Sequence, residues 1–407
     1  MRTIYFEKRI PKILLAKALQ PVWPAVVFSR LSPTRFANLP EKPLPGHRWV
    51  RMRNRLCGVC GSDLHLLYID ADPRISPAAL PGTERIYLGH EVLSEVIEVG
   101  AAVTTLKVGD RVIMNSLEAN CLSREIKPFC RQCRAGNHSL CEQTSQGEDL
   151  EGIGGGWGDG FTAHETGVYK VPDGMDDETA MMIEPLSVGV RTALRCLPQP
   201  EQRVLVVGSG MIGLAVIEAV RALSQECHIT AMARYPQQAA LARKMGVDEI
   251  IGREDPYRAA ARITGGKLYT GNFKTRMILG GFDVVYDCVG SAQTLQDSLR
   301  WARAGGTVVL AGVNLKPMNL DLTPIWYQEV NLIGLYAHGM ETFNGVKQST
   351  YDLTANLLLE KKLFIEGLIT HRFPLKQWRT AVRTAKDKRS GAIKVILDFQ
   401  EKKGAAS

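Results

Sequence analysis

Four cysteines lie close together in a loop-forming stretch of the chain and could hold a metal ion. Two of them have a Cys-x-x-Cys spacing, and all four fall within 21 residues: Cys121, Cys130, Cys133 and Cys141. Four soft thiolate ligands fill a tetrahedral zinc site and leave no position open for a substrate. The alternative is a group of unpaired buried thiols. We therefore predict that this segment binds a structural zinc ion.

A second set of potential ligands is dispersed along the chain and mixes sulfur, nitrogen and oxygen donors. Its members are one thiol, one imidazole and two carboxylates: Cys60, His90, Glu91 and Glu184. Mixed ligands from separate segments are typical of a catalytic zinc ion with one exchangeable position. Ser62 and His65 follow closely, and a hydroxyl and an imidazole in series can carry an alcohol proton to solvent. Cys57 and Cys60 could instead form half of a zinc-ribbon site.

A glycine-rich turn supplies a third chemical feature. It follows a short apolar strand and opens an amphipathic helix, with the sequence Gly208-Ser-Gly-Met-Ile-Gly213. Gly208 permits a tight turn, Gly210 lets the backbone approach a pyrophosphate, and Gly213 allows the helix to pack close to the sheet. A similar loop in an unrelated α/β protein is the alternative interpretation. The predicted cofactor-binding residues of this turn are Gly208, Gly210, Met211, Ile212 and Gly213.

The residues at the end of the next strand bear on the choice of cofactor. About 20 residues after the turn, an NAD-binding fold normally carries an acidic residue that binds the adenosine ribose. Here that position falls near Ala233, and Arg234 follows it. Without the carboxylate a 2′-phosphate is not repelled, and Arg234 could pair with it. We therefore predict that NADP(H) is preferred over NAD(H), although Arg234 could also be an ordinary surface arginine.

The chain contains two regions that differ in their predicted secondary structure. Short β-type runs with Gly- and Pro-rich turns predict a zinc-binding catalytic domain over 1–185. Alternating strands and helices then predict a parallel sheet with crossover helices, a Rossmann domain, over 186–337. The segment 338–407 is expected to return to the catalytic domain through a strand at 392–397. The predicted fold class is therefore α/β, with the nucleotide-binding domain inserted into the first domain.

Length and composition exclude several classes of protein. The chain has 407 residues, 45% hydrophobic and 23% charged, and its 50 basic and 42 acidic residues give a net charge of +8. This composition is that of a globular protein, without a long basic run that would indicate nucleic acid. No run reaches the roughly 18 apolar residues of a membrane span. The apolar stretch 13–28 is expected to belong to the fold, with a targeting segment as the alternative. We expect a cytoplasmic protein, because clustered thiols need a reducing compartment. The missing basic run and the missing membrane span lead us to expect no nucleic-acid and no membrane partner.

The order of these motifs resembles the zinc-dependent medium-chain dehydrogenases, the group of alcohol, sorbitol and threonine dehydrogenases. The resemblance covers about residues 43–397. The segments that carry it are the cysteine cluster, Cys60-Gly-Ser-Asp-Leu-His65, Gly89-His-Glu91, Val108-Gly-Asp-Arg-Val112, Glu184-Pro-Leu-Ser-Val-Gly189, Gly208 to Gly213, Gly305-Gly-Thr-Val-Val309 and Ser390-Gly-Ala-Ile-Lys-Val395. It implies a Rossmann domain inserted in a GroES-like, partly open β-barrel catalytic domain. It also implies two zinc ions per chain, an alcohol, ketone or polyol substrate, and a homodimer or homotetramer.

The resemblance also implies roles for individual residues. Cys60 and His90 would bind the catalytic zinc, with Glu184 favoured as the carboxylate ligand and Glu91 as a nearby exchange partner. Ser62 and His65 would form the proton relay. Asp63 would orient the surroundings of the metal, and Gly290 would contact the nucleotide. The Glu-Pro-Leu setting of Glu184 is similar to the polyol, sugar and threonine branch. A regulatory protein that binds nucleotide without catalysis is the competing hypothesis.

Three features depart from the family pattern. Cys121 and Cys130 are separated by eight residues instead of the usual two, so 122–129 is expected to form a loop. Residues 267–280 look like an insertion in the nucleotide-binding domain. The stretch before Pro43 is longer than the family needs. These departures affect the expected oligomer contacts and substrate pocket more than the chemistry.

Overall fold

The chain forms two compact units. The computed structural model describes residues 1–72, 84–115, 120–143 and 152–400. Unit 1 contains Met1–Glu184 and Ile369–Ser407, and unit 2 contains Pro185–Leu368. The chain therefore returns to unit 1 at Ile369, and the sequence-based boundary at 338 is wrong. Residues 338–368 stay in unit 2 because Arg191 of that unit pairs with Glu341 at 3.1 Å and donates to the His338 carbonyl at 3.0 Å.

The described residues form twenty strands and eleven helices. The strands are β1 (Arg2–Glu7), β2 (Thr34–Asn38), β3 (Trp49–Gly58), β4 (Arg85–Tyr87), β5 (Val92–Val99), β6 (Arg111–Met114), β7 (Gly160–His164), β8 (Val168–Lys170), β9 (Arg203–Val207), β10 (His228–Met232), β11 (Glu249–Ile251), β12 (Lys267–Thr270), β13 (Arg276–Leu279), β14 (Phe282–Asp287), β15 (Ala302–Leu310), β16 (Asn331–Gly334), β17 (Met340–Phe343), β18 (Val346–Ser349), β19 (Ile369–Pro374) and β20 (Lys394–Asp398). The helices are α1 (Ile10–Leu19), α2 (Gly61–Leu67), α3 (Arg131–Arg134), α4 (Asp177–Arg195), α5 (Met211–Leu223), α6 (Pro236–Lys244), α7 (Pro256–Thr264), α8 (Ala292–Trp301), α9 (Thr323–Tyr327), α10 (Thr350–Leu359) and α11 (Trp378–Lys386).

Unit 1 is built around a seven-stranded sheet. Its order is β19-β20-β3-β5-β6-β8, and β7 also pairs with β3. The long strand β3 is therefore the centre of the unit, since it pairs antiparallel with β5, β7 and β20. Helix α11 buries the side chains at positions i, i+3, i+4 and i+7 in this core: Trp378, Ala381, Val382 and Ala385. That spacing is the apolar stripe of a helix packed on one face.

The N-terminal segment forms a smaller layer of unit 1. Strand β1 lies between β2 and β4 in a three-stranded antiparallel sheet. Helix α1 follows it and packs Ile13 and Ala16 against Phe6 and Ile69. The next turn buries residues 26 and 27 in the main core of the unit. Among the described residues, no helix combines the length and the apolar character needed to cross a bilayer.

Unit 2 contains a six-stranded parallel sheet. Its order is β11-β10-β9-β14-β15-β16, and every neighbouring pair is parallel. The order reverses between β9 and β14, because the chain first adds strands on one side of β9 and then on the other. In doubly wound sheets, ligands bind beyond the carboxyl ends of the strands at such a reversal. The glycine-rich turn begins at this position, directly after β9.

The inserted segment 267–280 forms a hairpin of its own. Strands β12 and β13 pair antiparallel and lie outside the six-stranded sheet. The Arg276 guanidinium lies over the ring of Tyr257, 4.2 Å from its centroid, and pairs with Asp255 at 2.6 Å. Both partners belong to the start of α7, so the hairpin is anchored to the helix that precedes it.

Candidate active site

Cys60 lies where strand β3 gives way to helix α2, and a buried carboxylate fixes this junction. Asp63 accepts a hydrogen bond from the backbone N–H of Cys60 at 3.2 Å and another from that of Gly89 at 3.0 Å. Its side chain is almost fully buried. Asp63 therefore connects the segment that carries Cys60 to the segment that carries His90, although the two are thirty positions apart.

His90 is oriented by the same carboxylate. Its Nδ1 lies 3.6 Å from Asp63 Oδ1, and its Nε2 lies 3.5 Å from the Ser62 hydroxyl. Burial lowers the pKa of His90, but the charges of Asp63 and Cys60 and their hydrogen bonds together outweigh burial and hold this pKa well above the usual range. The donor atoms of Cys60, His90 and Glu91 all lie within 4.8 Å of one another. A thiolate, an imidazole and a carboxylate at this separation are a donor set that zinc accepts.

Glu91 forms a buried ion pair that the sequence analysis missed. Lys394 Nζ lies 2.6 Å from both carboxylate oxygens of Glu91, and the side chains are only 3% and 1% exposed. Burial opposes the charge on Lys394, but the negative charges of Glu91, Cys60 and Glu184 together outweigh this effect and raise the pKa of the lysine. A signal was present, since a single lysine in the apolar run 392–397 needs a buried partner. Gly58 makes room for the pair, because a Cβ there would lie 1.9 Å from a Glu91 oxygen.

Glu184 lies on helix α4, buried but outside the three-atom group. Burial raises its pKa to about 7, partly offset by the charge of His90. The structure thus groups Glu91, and not Glu184, with Cys60 and His90, which is the reverse of the order favoured from the sequence. However, both oxygens of Glu91 are engaged by Lys394. A metal ion bound by Glu91 would therefore compete with Lys394 for these oxygens.

The two relay residues share one helix but do not touch. Ser62 and His65 are three positions apart on α2, a spacing that places them on the same face. Ser62 approaches His90, whereas His65 Nδ1 lies 3.5 Å from Asp70 Oδ2 and both of these side chains are 43% exposed. Ser62 therefore faces the ligand group and His65 faces solvent.

The four cysteines of the cluster converge on one point. Their sulfur atoms all lie within 4.8 Å of one another, with Cys121 and Cys141 separated by 3.7 Å and Cys130 and Cys141 by 4.0 Å. A tetrahedron with zinc–sulfur bonds of about 2.3 Å has sulfur–sulfur edges of about 3.8 Å. The sulfur positions therefore fit a zinc ion without a further ligand.

Backbone N–H groups also point at the sulfurs. Cys130 N–H donates to the Cys121 sulfur, Cys133 N–H to the Cys130 sulfur, and Gln143 N–H to the Cys141 sulfur, at 3.3–3.4 Å. Burial raises the pKa of Cys130, but the N–H donors outweigh it and lower this pKa to about 6. Such donors stabilise thiolates, the form that binds metal.

The eight residues between Cys121 and Cys130 form an excursion that folds back over the cluster. Ile126 N–H donates to the carbonyl of Cys121 at 2.8 Å, which closes the first turn of the excursion. Leu122, Ile126 and Phe129 then pack against the buried cysteines. The long spacing therefore leaves the sulfur positions intact and adds an apolar cover.

The glycine-rich turn has the features that a pyrophosphate site requires. Gly208 has φ of +90°, which only glycine adopts readily. A Cβ on Gly213 would lie 1.8 Å from the Gly208 carbonyl, so the helix could not approach the turn with any larger residue. A Cβ on Gly210 would meet no protein atom within 4 Å. The space beside Gly210 at the start of α5, with Met211 and Ile212 in its first turn, is therefore open to a ligand.

Gly290 lies at the same edge of the sheet but has a structural role. Its φ is +73°, and a Cβ there would lie 2.4 Å from the carbonyl of Gly312. The preceding Val289 would collide with a Cβ on Gly208, at 2.5 Å. The loops after β9, β14 and β15 therefore pack closely at the carboxyl ends of the strands.

Two exposed arginines follow neighbouring strands at this edge. Met232 of β10 is in register with Ile251 of β11, and Ala233 N–H donates to the Ile251 carbonyl at 3.0 Å. Arg234 and Arg253 therefore each follow two residues after the paired residues Met232 and Ile251 on adjacent strands. Both are exposed, and neither forms an ion pair with a described residue. The sequence analysis missed Arg253, because only the strand register brings it level with Arg234.

The chain matches two protein-family models and is similar over most of its length to known dehydrogenases. The family model of the alcohol dehydrogenase GroES-like domain matches residues 46–173, and that of the zinc-binding dehydrogenase matches residues 212–351. L-idonate 5-dehydrogenase of Vitis vinifera is 30% identical over 357 residues, 86% of this chain and 88% of that protein. Sorbitol dehydrogenase of Gallus gallus is 30% identical over 390 residues, 92% of this chain and 95% of that protein. The structure of 2R,3R-butanediol dehydrogenase from Bacillus subtilis has the same fold, with TM-score 0.70, 24% identity, and coverage of 90% of this chain and 96% of that one.

Proposed function

Because the chain belongs to the zinc-dependent medium-chain dehydrogenase family, we propose that it transfers hydride between NADP(H) and an alcohol or carbonyl substrate. Family membership confirms the fold class expected from the sequence, a Rossmann domain and a GroES-like catalytic domain. The relatives named for sorbitol and L-idonate favour a polyol, sugar or other secondary alcohol as substrate. The observation that carries the proposal is the convergence of Cys60, His90 and Glu91 in a chain that also has an open glycine-rich turn.

In this proposal Cys60, His90 and Glu184 hold the catalytic zinc, and Glu91 is its exchange partner. When bound, zinc supplies Lewis-acid stabilisation of the negative charge that develops on the substrate oxygen. Asp63 holds the His90 ring through Nδ1, which leaves Nε2 for the ligand group. Lys394 neutralises Glu91 and so lowers the cost of burying two carboxylates side by side.

The remaining side chains of the proposed site move a proton. Ser62 accepts the proton of the alcohol, since its hydroxyl is the one that faces the ligand group, and gives up its own hydroxyl proton in the same step. Water carries that second proton to His65, which releases it to solvent because its ring is half exposed. When bound, a nicotinamide cofactor would supply the hydride chemistry. Turnover of any alcohol or ketone excludes the competing hypothesis of a regulatory protein without catalysis.

The first prediction concerns metal content. Elemental analysis of the purified chain is expected to give two zinc ions per chain, because two separate donor sets converge. Cys60→Ala and Cys133→Ala are each expected to retain one. A reproducible single zinc in the parent protein would contradict the proposal, and Cys121 with its long spacing would be the first ligand to examine.

The second prediction tests the cofactor together with the reaction. We expect NADP(H) to exceed NAD(H) about ten- to a hundredfold in kcat/KM on a panel of polyols, sugars and secondary alcohols. One charge-assisted pair with the 2′-phosphate contributes about 1.5–3 kcal/mol, less where solvent screens it. Arg234→Ala and Arg253→Ala should each lower this ratio. Arg258→Ala, an exposed arginine of α7, is the matched control and should not. A parent protein that prefers NAD(H) would refute the proposal.

The proposal also includes self-association and a cytoplasmic location. Strand β16 is the last strand of its sheet, and an exposed edge of this kind pairs readily with another chain. Leu332 on this strand is exposed, as are Trp326 and Tyr327 just before it. These features support a homodimer built on β16, with a homotetramer as a further step. All nine cysteines are free thiols, which favours a reducing compartment.

A further inference from the structure

Helix α1 has two apolar faces, of which only one is covered. Ile13 and Ala16 face unit 1 and pack against Phe6 and Ile69. The opposite side consists of exposed apolar residues at helical spacing: Ile10, Pro11, Leu14, Leu15 and Ala18. Ile10 and Leu14 are about half exposed, at 51% and 53%. An apolar stripe turned to solvent is unusual in a helix that already buries its other side.

The turn after α1 extends this surface. The N–H groups of Val22 and Trp23 donate to the Leu19 carbonyl at 3.2 and 2.8 Å, so the turn is held to the end of the helix. Val22 is 82% exposed and Trp23 is 44% exposed. A tryptophan beside exposed aliphatic residues is typical of surfaces at a membrane–water interface.

The charge around the stripe is predominantly basic, with Glu7 at one edge. Residues 8–40 contain no aspartate or glutamate, and their basic residues are Lys8, Arg9, Lys12, Lys17, Arg30 and Arg35. At about 100° per residue, Lys17 falls on one side of the exposed stripe and Lys12 on the other. Lys12 and Arg35 pair with Glu7, whereas Lys17 and Arg30 form no ion pair with a described residue.

From this arrangement we infer that α1 and the turn after it dock the protein on an anionic lipid surface. The apolar stripe, 10–18 with 22 and 23, enters the boundary between headgroups and acyl chains. Lys17 remains at the headgroup level, where its long stem allows it to reach phosphate, whereas Lys12 stays paired with Glu7. A helix that lies on a membrane needs neither the length nor the continuous apolar run of one that spans it. The expectation of no membrane partner, drawn from the absence of such a run, does not apply to this mode.

The charge argues against the main alternative occupant, a second copy of this chain. A homotypic contact through α1 would bring two predominantly basic surfaces together, because the acidic residue at the edge, Glu7, is already paired with Lys12 and Arg35 of its own chain; like charges at close range repel. An anionic bilayer provides both an apolar interior and negative charge. Each lysine or arginine near such a surface strengthens binding severalfold at physiological salt.

The test is sedimentation of the full-length, zinc-loaded protein with phosphatidylcholine vesicles that contain or lack phosphatidylglycerol. We expect binding to the anionic vesicles only, and weaker binding at high salt. Leu14→Glu with Leu15→Glu should abolish it. Lys17→Glu with Arg30→Glu should weaken it about tenfold or more. Val108→Glu, an exposed apolar residue elsewhere in unit 1, is the matched control and should bind as the parent does.

Fluorescence shows whether the turn is inserted. Bromine-labelled lipids should quench tryptophan emission on binding, and Trp23→Phe should remove most of this quenching. Trp326→Phe, which removes the exposed tryptophan of unit 2, should not. Equal binding to neutral and anionic vesicles, or no binding at all, would overturn the inference. So would sedimentation velocity that shows self-association of the parent lost in the Leu14→Glu, Leu15→Glu variant.

Discussion

His90→Ala is expected to lower kcat by about 10³-fold or more while the protein remains folded. The His90 imidazole, the Cys60 thiol and the Glu91 carboxylate are the three donors that converge. Loss of the imidazole removes charge stabilisation of the transition state worth several kcal/mol. The fold should survive, because the side chain lies beside Cys60 and Ser62 and is absent from the main apolar core of unit 1. Cys60→Ala should behave in the same way.

The measurement is kcat on any working substrate, together with the melting temperature and zinc content of the same preparation. His371→Ala is the matched control, since His371 also lies in unit 1 and its ring contacts Thr370 and Phe373, away from both donor sets. A His90→Ala variant with unchanged kcat would remove this residue from the reaction. A variant that does not fold would instead show that His90 holds the junction between β3 and α2.

Cys133→Ala is expected to destabilise the protein by more than about 3 kcal/mol while leaving the chemistry of the folded fraction nearly intact. A closed four-sulfur site contributes folding free energy, and losing one ligand removes the ion that joins the others. The cluster has little else to support it, because its core consists of the cysteines and three partly buried apolar side chains.

This prediction is checked by urea unfolding and by kcat measured per folded molecule. Cys196→Ala is the control for loss of a partly buried thiol outside either donor set, and it should change stability by less than about 1 kcal/mol. The two zinc sites have different roles only if one set of variants loses mainly kcat and the other loses mainly free energy of unfolding. Equal losses of stability in the Cys60, His90 and Cys133 variants, with equal losses of kcat, would argue against this division.

The parts of the site that could be predicted from the sequence are those whose residues lie close together along the chain. Gly208, Gly210 and Gly213 act within one turn and one helix start, so their order along the chain already describes their geometry. The same holds for the segment from Cys60 to His65, which occupies a single strand–helix junction. The cysteine cluster was predictable despite its long insertion, because the excursion is closed by its own hydrogen bonds.

Contacts made across the sheet could not be predicted in this way. Lys394 reaches Glu91 from 303 residues away because β20 pairs with β3 next to the loop that carries His90. Arg253 comes level with Arg234 through the register of β10 and β11. The return of the chain at Ile369 was placed too early, because the contacts of Arg191 with Glu341 and the His338 carbonyl keep the preceding residues in unit 2.

Residue types and short spacings were enough to predict the family, the fold class and the donor types of two metal sites. They show which atoms can bind a metal or a phosphate. The carboxylate that pairs with a buried lysine, the position of the second exposed arginine and the uncovered face of α1 became evident only in the folded protein. The physical reason is that pairing and burial depend on strand register and packing between distant segments. One residue type can be a ligand, a counter-ion or a surface charge, and its neighbours in space make the difference.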